Sequence, residues 1–415
     1  MGPRSELAAA WKRYAERSES AREILEATPT FDREDHQGRA YRSLVEAQAM
    51  AYAWVMAPSV RTPRINSTSS WATSYYTIGM NCPDFSYGTL LLDGRGTYRL
   101  RARYGDTRIL LLQVMSRPFG QPGSTCTGNY EFGPWLEGTG QDDEPFDIVL
   151  SATEPPERRP GHWIPLDGES RFNFLMIRRV LGDWYDDPGD LDVQVIEAPP
   201  ADDEHSPEAV AERLDLVGTI VEFLAQAWLT GLPQRFLQCA GGEVNVWGEV
   251  PGESMAGDGG SPTCNYGFLT FELQPDEALI TEFEVPEGSA YWSFQVGDLW
   301  SRSYEFEHRQ GDVNMNRAVI DDDGVFRAVI CADDPGVPNW LDTQGYLVGT
   351  SAMRNYHART LPAPKARVVK LADLRAELPA STPVITPEQR AAELERRRQG
   401  YRHLYEPVRL AGSTR

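Results

Sequence analysis

The stretch that begins at Trp300, WSRSYEFEHRQGDVNMN, carries residue types from which a small-molecule site can be built. Because side chains alternate between the two faces of a strand, a strand here would share one face among Trp300, Arg302, Tyr304, Phe306 and His308. The rings of Trp300 and Phe306 would bind the apolar body of a substrate, and Arg302 would hold its carboxylate, sulfate or carbonyl group. His308 would move a proton and Tyr304 would donate a hydrogen bond, which with Arg302 makes an acid–base catalytic set.

The same pattern also fits a purely structural face. Aromatic strand faces are usually core, and an arginine at the edge of one extends to water. A single histidine near a strand end is commonly a hydrogen-bonded structural residue. Both interpretations stay open on the sequence alone, and a concavity that contains both Arg302 and His308 would favour the catalytic one.

A second candidate is the polar trio Asn81, Asp84 and Tyr87, which stands at the start of a predicted strand. Such a trio can line the mouth of a pocket and bind substrate. Asn and Asp can equally cap a turn with their own side chains while the tyrosine packs, and this is the favoured interpretation.

Metal and nucleotide motifs are missing. The five cysteines are scattered without a CxxC pair, and the histidines show no zinc spacing. The DDDG run at Asp321 is typical of a hairpin turn rather than of a calcium loop. The chain also lacks a phosphate loop, a dinucleotide fingerprint and a Gly-x-Ser-x-Gly nucleophile elbow. We therefore expect no metal and no cofactor.

Charge narrows the range of partners. The 415 residues have a formal net charge of -21 and a pI of about 4.8, which disfavours binding to nucleic acid or to anionic lipid. We find no continuous run of eighteen apolar residues and no signal peptide, so we expect neither a membrane span nor export. The expected location is cytoplasmic.

The chain length favours two domains, and the texture of the sequence divides it into five parts. Residues 1–60 are predicted to be helical, 61–200 a first β-sandwich, 201–240 a linker with a bridging helix, 241–365 a second β-sandwich, and 366–415 a helical tail. Two start signals are clear: Ser206 followed by Pro207, and the capping-box pattern of Thr386 and Gln389. The predicted fold class is mainly β with flanking helices, as two tandem β-sandwich or jelly-roll-like domains related by an internal repeat.

The two β-rich halves share a series of residues. The pairs are Tyr87 with Tyr266, Gln113 with Gln295, Trp163 with Trp340, and Arg178 with Arg354. Each tryptophan is expected to close the end of its sandwich from a turn shaped by Pro and Gly. Because a duplicated fold repeats what folding requires, shared positions are interpreted as structural and function is sought where the halves differ, at 300–308.

The segments YWSFQVGD, DDDGVFRAVI and DPGVPNWLDT, in that order, resemble the bacterial domain of unknown function 1214 family, most clearly over 262–365. NCPDFSYGTLLLDG is similar to the opening found upstream in many relatives. The chain differs at Asp342-Thr343-Gln344, where a Pro-containing loop is common. The resemblance implies β-sandwich or jelly-roll domains and frequent oligomers, and it implies no settled activity.

Three functions remain open. The first is a metal-independent enzyme that acts on a small, largely apolar molecule by acid–base chemistry. The second is a non-catalytic protein that binds a small apolar or amphipathic molecule, or assembles as a homo-oligomer. The third is a carbohydrate-processing enzyme, which requires two carboxylates facing one groove.

Overall fold

The structure is a computed structural model that describes residues 3–66, 76–133, 144–156 and 162–405. The described strands form two tandem β-sandwiches, as predicted. The strands of the first are β1 (Phe85–Leu92), β2 (Thr97–Arg103), β3 (Ile109–Met115), β4 (Cys126–Phe132), β5 (Phe146–Ser151), β6 (Trp163–Pro165), β7 (Asn173–Val180) and β8 (Asp190–Glu197). Those of the second are β9 (Gly248–Pro251), β10 (Cys264–Glu272), β11 (Glu277–Glu284), β12 (Tyr291–Gly297), β13 (Asp312–Asn314), β14 (Val325–Cys331), β15 (Trp340–Asp342), β16 (Val348–Tyr356) and β17 (Lys365–Lys370).

The two sandwiches have the same topology. The first consists of the sheets β1-β7-β3-β4 and β6-β5-β2-β8, and the second of β13-β12-β16-β10-β9 and β15-β14-β11-β17. Setting β1 against β10 and continuing in order to β8 against β17 reproduces every neighbour, with β9 as one added edge strand. Even the parallel pairs correspond, β5 with β6 and β14 with β15. The internal repeat in the sequence is thus a repeat of structure.

Each sandwich encloses its own core. Alternate residues such as Leu90 and Leu92 face the other sheet of the first sandwich, and Leu269 and Phe271 do so in the second. The intervening residues of β1 and β10 point away from these cores but are buried as well, because the two large sheets face each other and the helices. A third core thereby joins both sandwiches to the helical layer.

The helical layer consists of α1 (Pro3–Glu26), α2 (Glu34–Ala51) with a π-helical turn (Tyr52–Met56), and a long broken helix. That helix runs through α3 (Pro207–Phe223), a π-helical segment (Leu224–Gly231) and α4 (Leu232–Cys239). Ser206 caps it as predicted, accepting a hydrogen bond from the Ala209 N–H at 3.2 Å. Gly218 lies within α3, and a Cβ there would lie 3.3 Å from Tyr14 Cα, so the glycine permits close packing of α1.

This long helix is apolar enough to cross a membrane by length and composition alone. It spans Pro207–Cys239, with a mean hydropathy of 1.3 over its most apolar window. However, 67% of that window is buried within the protein. Burial of this extent is typical of a helix that forms part of a protein core.

The chain ends its described part with α5 (Leu374–Glu377) and α6 (Pro387–Tyr405). The capping box is present: Gln389 N–H donates to Thr386 Oγ1 at 3.3 Å, and Thr386 N–H donates to Gln389 Oε1 at 2.8 Å. The last turn places the Tyr405 hydroxyl 3.2 Å from the carbonyl oxygen of Pro83, close to where the first sandwich begins.

The paired tryptophans occupy equivalent places. Each begins a short parallel strand, and each indole N–H donates to the equivalent carbonyl: Trp163 to Ser151 at 3.3 Å and Trp340 to Cys331 at 3.0 Å. Trp340 packs with Val329 and Leu374 on the face opposite the sandwich core. The prediction of a shared structural role is confirmed, but these rings cover the outer face of a sheet rather than close the end of a sandwich.

Candidate functional site between the two sandwiches

The predicted catalytic face does not exist, because residues 300–308 do not form a strand. They make only isolated bridges, Ile78 with Arg302 and Gly297 with Ser303, and Ser301 has a φ of +52°. The chain turns repeatedly here. Period-two alternation therefore does not apply, and the five side chains point into different surroundings.

Three of the five are buried in separate contacts. The Trp300 indole donates to the carbonyl of His36 at 3.0 Å in the helix-facing core. The Arg302 guanidinium is 3.2 Å from the Glu46 carboxylate. The Tyr304 ring stacks on Tyr346 with 5.7 Å between ring centroids.

The other two lie further along, and again apart. Phe306 packs with Trp184 and Tyr401 under α6. The His308 side chain is 53% exposed and its imidazole is 3.5 Å from Glu307. The structure therefore does not bring His308, Arg302 and Tyr304 together as one catalytic set, since the histidine is exposed and the arginine is buried in an ion pair.

Asn81, Asp84 and Tyr87 are all buried, and only partly in the way expected. Asp84 does not cap a turn with its side chain: its carboxylate accepts from the Tyr291 hydroxyl at 2.7 Å and from Arg317 at 2.8 Å, both in the second sandwich. Burial raises the pKa of Asp84, and the charge of Arg317 opposes that rise. The Asn81 amide donates to the Tyr76 carbonyl at 3.3 Å.

Tyr87 makes a hydrogen bond that has an equivalent in the second sandwich. Its hydroxyl accepts a hydrogen bond from the Cys82 N–H at 3.0 Å. In the second sandwich the Tyr266 hydroxyl accepts from the Ser261 N–H at 2.8 Å. Each tyrosine therefore stabilises the loop that precedes it by binding the residue five positions earlier, and the two loops occupy equivalent positions in the two sandwiches.

The shared glutamines each bind the loop that leads into the other sandwich. Gln113 of β3 donates to the carbonyls of Ala256 and Gly260, both at 3.0 Å. Gln295 of β12 donates to the carbonyl of Asn81 at 3.1 Å. Counting back from Tyr87 and Tyr266, Asn81 and Gly260 are equivalent positions, so the two contacts are reciprocal.

The shared arginines repeat this exchange. Arg178 of β7 donates to the carbonyl of Gly259, and Arg354 of β16 donates to the carbonyl of Met80. Each guanidinium also reaches its own glutamine, at 3.4 Å for Arg178 to Gln113 and 2.5 Å for Arg354 to Gln295. The accepting residues have matching backbones, with φ of +51° at Met80 and +88° at Gly259. We call this arrangement the reciprocal clasp.

A cavity of about 60 Å³ lies at the centre of the clasp. Both arginines and both tyrosines line it, together with the hydroxyl-bearing ring of Tyr356. We call it the paired-arginine cavity. The other lining residues are aromatic, aliphatic, glycine and one aspartate: Gly79, Met80, Phe85, Trp228, Leu232, Phe236, Met255, Asp258, Gly259, Gly260 and Phe268.

Burial and charge make this cavity unusual. Arg178 is 4% exposed and Arg354 is 7% exposed. Within the described part of the chain, no carboxylate lies within 4.0 Å of the Arg354 guanidinium. Burial lowers the pKa of Arg354. The surrounding thiols and phenols, Cys82 and Tyr87 foremost, raise it by more than burial lowers it, so the pKa is raised overall. Positive charge is thus held in a desolvated place beside neutral groups.

The titratable neighbours stay protonated at neutral pH. Burial raises the pKa of Tyr87 to about 12 and that of Cys82 to about 11. It also raises the pKa of Tyr266 and Tyr356. These groups can therefore donate hydrogen bonds but are poor bases and poor nucleophiles.

A short 3₁₀ helix (Gly252–Asp258) covers the cavity on one side. The Trp228 indole, from the π-helical segment, holds it by donating to the Asp258 carbonyl at 2.9 Å. The Asp258 carboxylate is 2.9 Å from Arg235. Trp228 and Met255, which line the cavity on this side, are both buried.

A larger groove of about 320 Å³ runs beneath α6. Buried charges border it: Asp312 accepts from both Arg317 and Arg397, and the Arg397 guanidinium lies 4.4 Å from the centre of the Trp184 ring. The carboxylate of Asp183, also on this groove, is 2.6 Å from Arg396. Across the described ranges, no group of three His, Cys, Asp or Glu side chains is arranged to hold a metal ion.

The residues of the paired-arginine cavity were visible in the sequence but were assigned to folding alone. The available signal was polar side chains inside otherwise apolar strands, as in ILLLQVM and NFLMIRRV, repeated in both halves. A buried glutamine or arginine requires a partner. That requirement points to a place where the two copies meet.

The comparisons with known proteins show similarity of fold. The chain is 26% identical to an uncharacterised protein from Burkholderia cenocepacia, covering 89% of this chain and 99% of that one with a TM-score of 0.77. A second solved structure, the VPA0106 protein from Vibrio parahaemolyticus, is 11% identical, covering 86% of this chain and 100% of that one, with a TM-score of 0.44. No family model and no curated protein matches the sequence.

Proposed function

We propose that the protein binds a small amphipathic carboxylate in the paired-arginine cavity. The observation that carries this proposal is the Arg354 guanidinium, buried and without a carboxylate within 4.0 Å among the described residues. Burying a charge is costly unless it is paired, and arginine binds carboxylates through a planar fork of N–H donors. A bound anion would supply the missing charge.

The size of the cavity limits the ligand. A buried water needs roughly 10–15 Å³ of such space, so a cavity of about 60 Å³ holds about four to six non-hydrogen atoms. That is the size of a short-chain carboxylate. Its charged end would lie between Arg178 and Arg354, and its alkyl end against Phe85, Phe268 and Trp228.

Binding is favoured over catalysis by the same groups. The phenols of Tyr87 and Tyr266 on the cavity wall, and the nearby Cys82 thiol, have raised pKa values, so they are poorly suited to take a proton near neutral pH. The acid–base enzyme expected from 300–308 stays a prediction without a geometric site. We accordingly favour the ligand-binding alternative, with an amphipathic molecule as the partner.

Calorimetry with propionate and its neutral isostere propionamide tests the proposal. We expect propionate to bind and propionamide to bind at least tenfold more weakly, since hydrogen bonds to a charged group contribute about 1.5–3 kcal/mol. Arg354→Met should abolish this preference, whereas Arg99→Met, which removes an arginine 44% exposed on β2, should leave it intact. Equal affinities for the two probes, or no heat from a folded protein, would refute it.

Carbohydrate processing has one place where it can be tested. Trp184, Asp183 and Asp312 border the groove beneath α6, which supplies the ring and the carboxylates that this hypothesis needs. Both carboxylates are already held by arginines, which favours binding of a saccharide over hydrolysis. Saccharide titration monitored by tryptophan fluorescence, repeated in Trp184→Leu, would decide it.

The remaining expectations are also proposals. A homo-oligomer is supported by exposed Val195 and Ile196 on the edge strand β8, because unpaired apolar edges favour association. Light scattering after gel filtration tests it. We further propose a cytoplasmic location and membership of the domain of unknown function 1214 family, on the sequence features given above.

A further inference from the structure

A second cavity of about 280 Å³ lies between the helical layer and the second sandwich, and neither Arg178 nor Arg354 lines it. Its walls are formed mainly by apolar side chains, with Trp300 and Leu229 fully buried among them. Leu229 comes from the π-helical segment, an irregularity that often accompanies functional sites. We call this cavity the Trp300 pocket.

Among the polar residues that line the Trp300 pocket, Thr270 is a buried one. Thr270 lies on β10, on the same face as Phe268, because Leu269 and Phe271 face the sandwich core. It is only 8% exposed, and within the described residues its backbone carbonyl accepts from Asn245 while its hydroxyl makes no hydrogen bond. The equivalent position in the first sandwich is Leu91, so the hydroxyl is not required by the shared fold.

Several other polar side chains on the wall are already paired. The Thr230 hydroxyl, also on the wall, donates to the carbonyls of Ala225 and Gln226, at 3.1 and 2.9 Å, which the π-helical segment leaves available. At the mouth, the Arg33 guanidinium and the Glu272 carboxylate are 3.7 Å apart, and both are largely exposed. The two charges compensate each other, so the mouth favours neither an anion nor a cation.

We infer that the Trp300 pocket binds a small neutral apolar molecule that carries one hydroxyl or carbonyl group. The apolar walls hold the body of the molecule, and the buried Thr270 hydroxyl makes a directed hydrogen bond to its polar group. An apolar cavity of about 150 Å³ is sufficient to admit benzene, so the larger pocket accommodates a two-ring molecule. This ligand class differs from the anion proposed for the paired-arginine cavity, and the inference does not depend on that proposal.

Three probes of one size test the inference: naphthalene, 2-naphthol and 2-naphthoate, titrated against the full chain by calorimetry. We expect 2-naphthol to bind about fivefold more tightly than naphthalene, since a neutral hydrogen bond is worth roughly 1 kcal/mol. The naphthoate should bind most weakly, because entry would strip water from a carboxylate that Thr270 alone cannot replace.

Variants separate the hydrogen bond from the space. Thr270→Val should remove the preference for 2-naphthol while naphthalene binding persists, and Leu229→Trp should abolish binding of all three. Thr89→Val makes the same change at a buried threonine in β1, outside the pocket, and should alter nothing. Thermal melting confirms that each variant is folded.

Two results would overturn the inference. One is a preference for 2-naphthol that survives in Thr270→Val; the other is tightest binding of 2-naphthoate, reduced in Arg33→Gln, which would assign the mouth to anion recognition. Arg354→Met, which tests the paired-arginine cavity, should leave all three affinities unchanged. A failure of the proposal for the paired-arginine cavity can therefore be distinguished from a failure of the proposal for the Trp300 pocket.

Discussion

The residues that the two halves share and the segment in which they differ behave in opposite ways. The shared tyrosines, glutamines and arginines come from distant strands and meet around one small cavity. The divergent residues 300–308 are adjacent in sequence, yet Trp300, Tyr304 and Phe306 lie in three separate hydrophobic clusters. Proximity along the chain was therefore a poor guide to proximity in space, and repetition was a good one.

The reason is the way the two copies face each other. In a two-fold arrangement the same surface is used twice, so each residue that contacts the partner is matched by its equivalent. Gln113 and Gln295 each bind the other copy's leading loop, and Arg178 and Arg354 do the same. A repeated polar residue can thus belong to the interface between the two copies. A cavity at that interface is then lined by the equivalent residues of both copies, as here by two arginines and two tyrosines.

The largest effect is expected where the interface carries a buried charge. Asp84→Ala should lower the free energy of unfolding by about 3–5 kcal/mol, because it removes a fully buried carboxylate that pairs with Arg317 and accepts from the buried Tyr291 hydroxyl. Urea unfolding measures it. Asp147→Ala, which removes an exposed partner of Arg99 at 3.5 Å, should cost under about 1 kcal/mol. Similar losses in both would mean that Asp84 is not buried as described.

The symmetry of the clasp comes next. Arg178→Met and Arg354→Met each leave buried carbonyl groups without donors, at a cost of about 1–3 kcal/mol each. Because the contacts correspond, we expect the two variants to lose similar stability, as measured by urea unfolding at one pH. A large difference between them would contradict the reciprocal clasp.

A smaller effect should appear with pH near the divergent segment. His36, whose carbonyl holds Trp300, is buried, and burial lowers the pKa of its imidazole. A folded pKa below the unfolded value means that the unfolded state binds the proton more readily, so stability falls as pH drops below about 6.5, by at most roughly 1.4 kcal/mol per pH unit. The urea midpoint of His36→Phe should depend less on pH between 7 and 5 than that of the parent. Unchanged pH dependence would count against the burial of His36.

The smallest effect is expected at His308. His308→Ala should change the free energy of unfolding by no more than about 0.5 kcal/mol, because its imidazole is mostly exposed. It should also leave propionate binding unchanged. A loss of ligand binding in this variant would restore 300–308 as a functional segment.

Several elements were predictable because their signals are local. The Ser206 cap and the reciprocal bonds of Thr386 and Gln389 depend on residues three apart, which the sequence displays directly. The repeat was also readable, since equivalent strands need similar patterns. The expected strand at 300–308 failed because alternation of residue types does not fix the backbone, and here the chain bends at Ser301.

The sequence by itself determined two sandwiches of one topology, the helices around them and the set of residues they share, because hydrophobic periodicity, caps and repetition act over short separations. Only the tertiary structure decided that Arg178 and Arg354 line one cavity and that Trp300 lines another. The large sheets are apolar on both faces, so their second face must be buried against another surface. The apolar pattern does not determine which surface that is. The relative placement of the two copies made that choice, and the cavities follow from it.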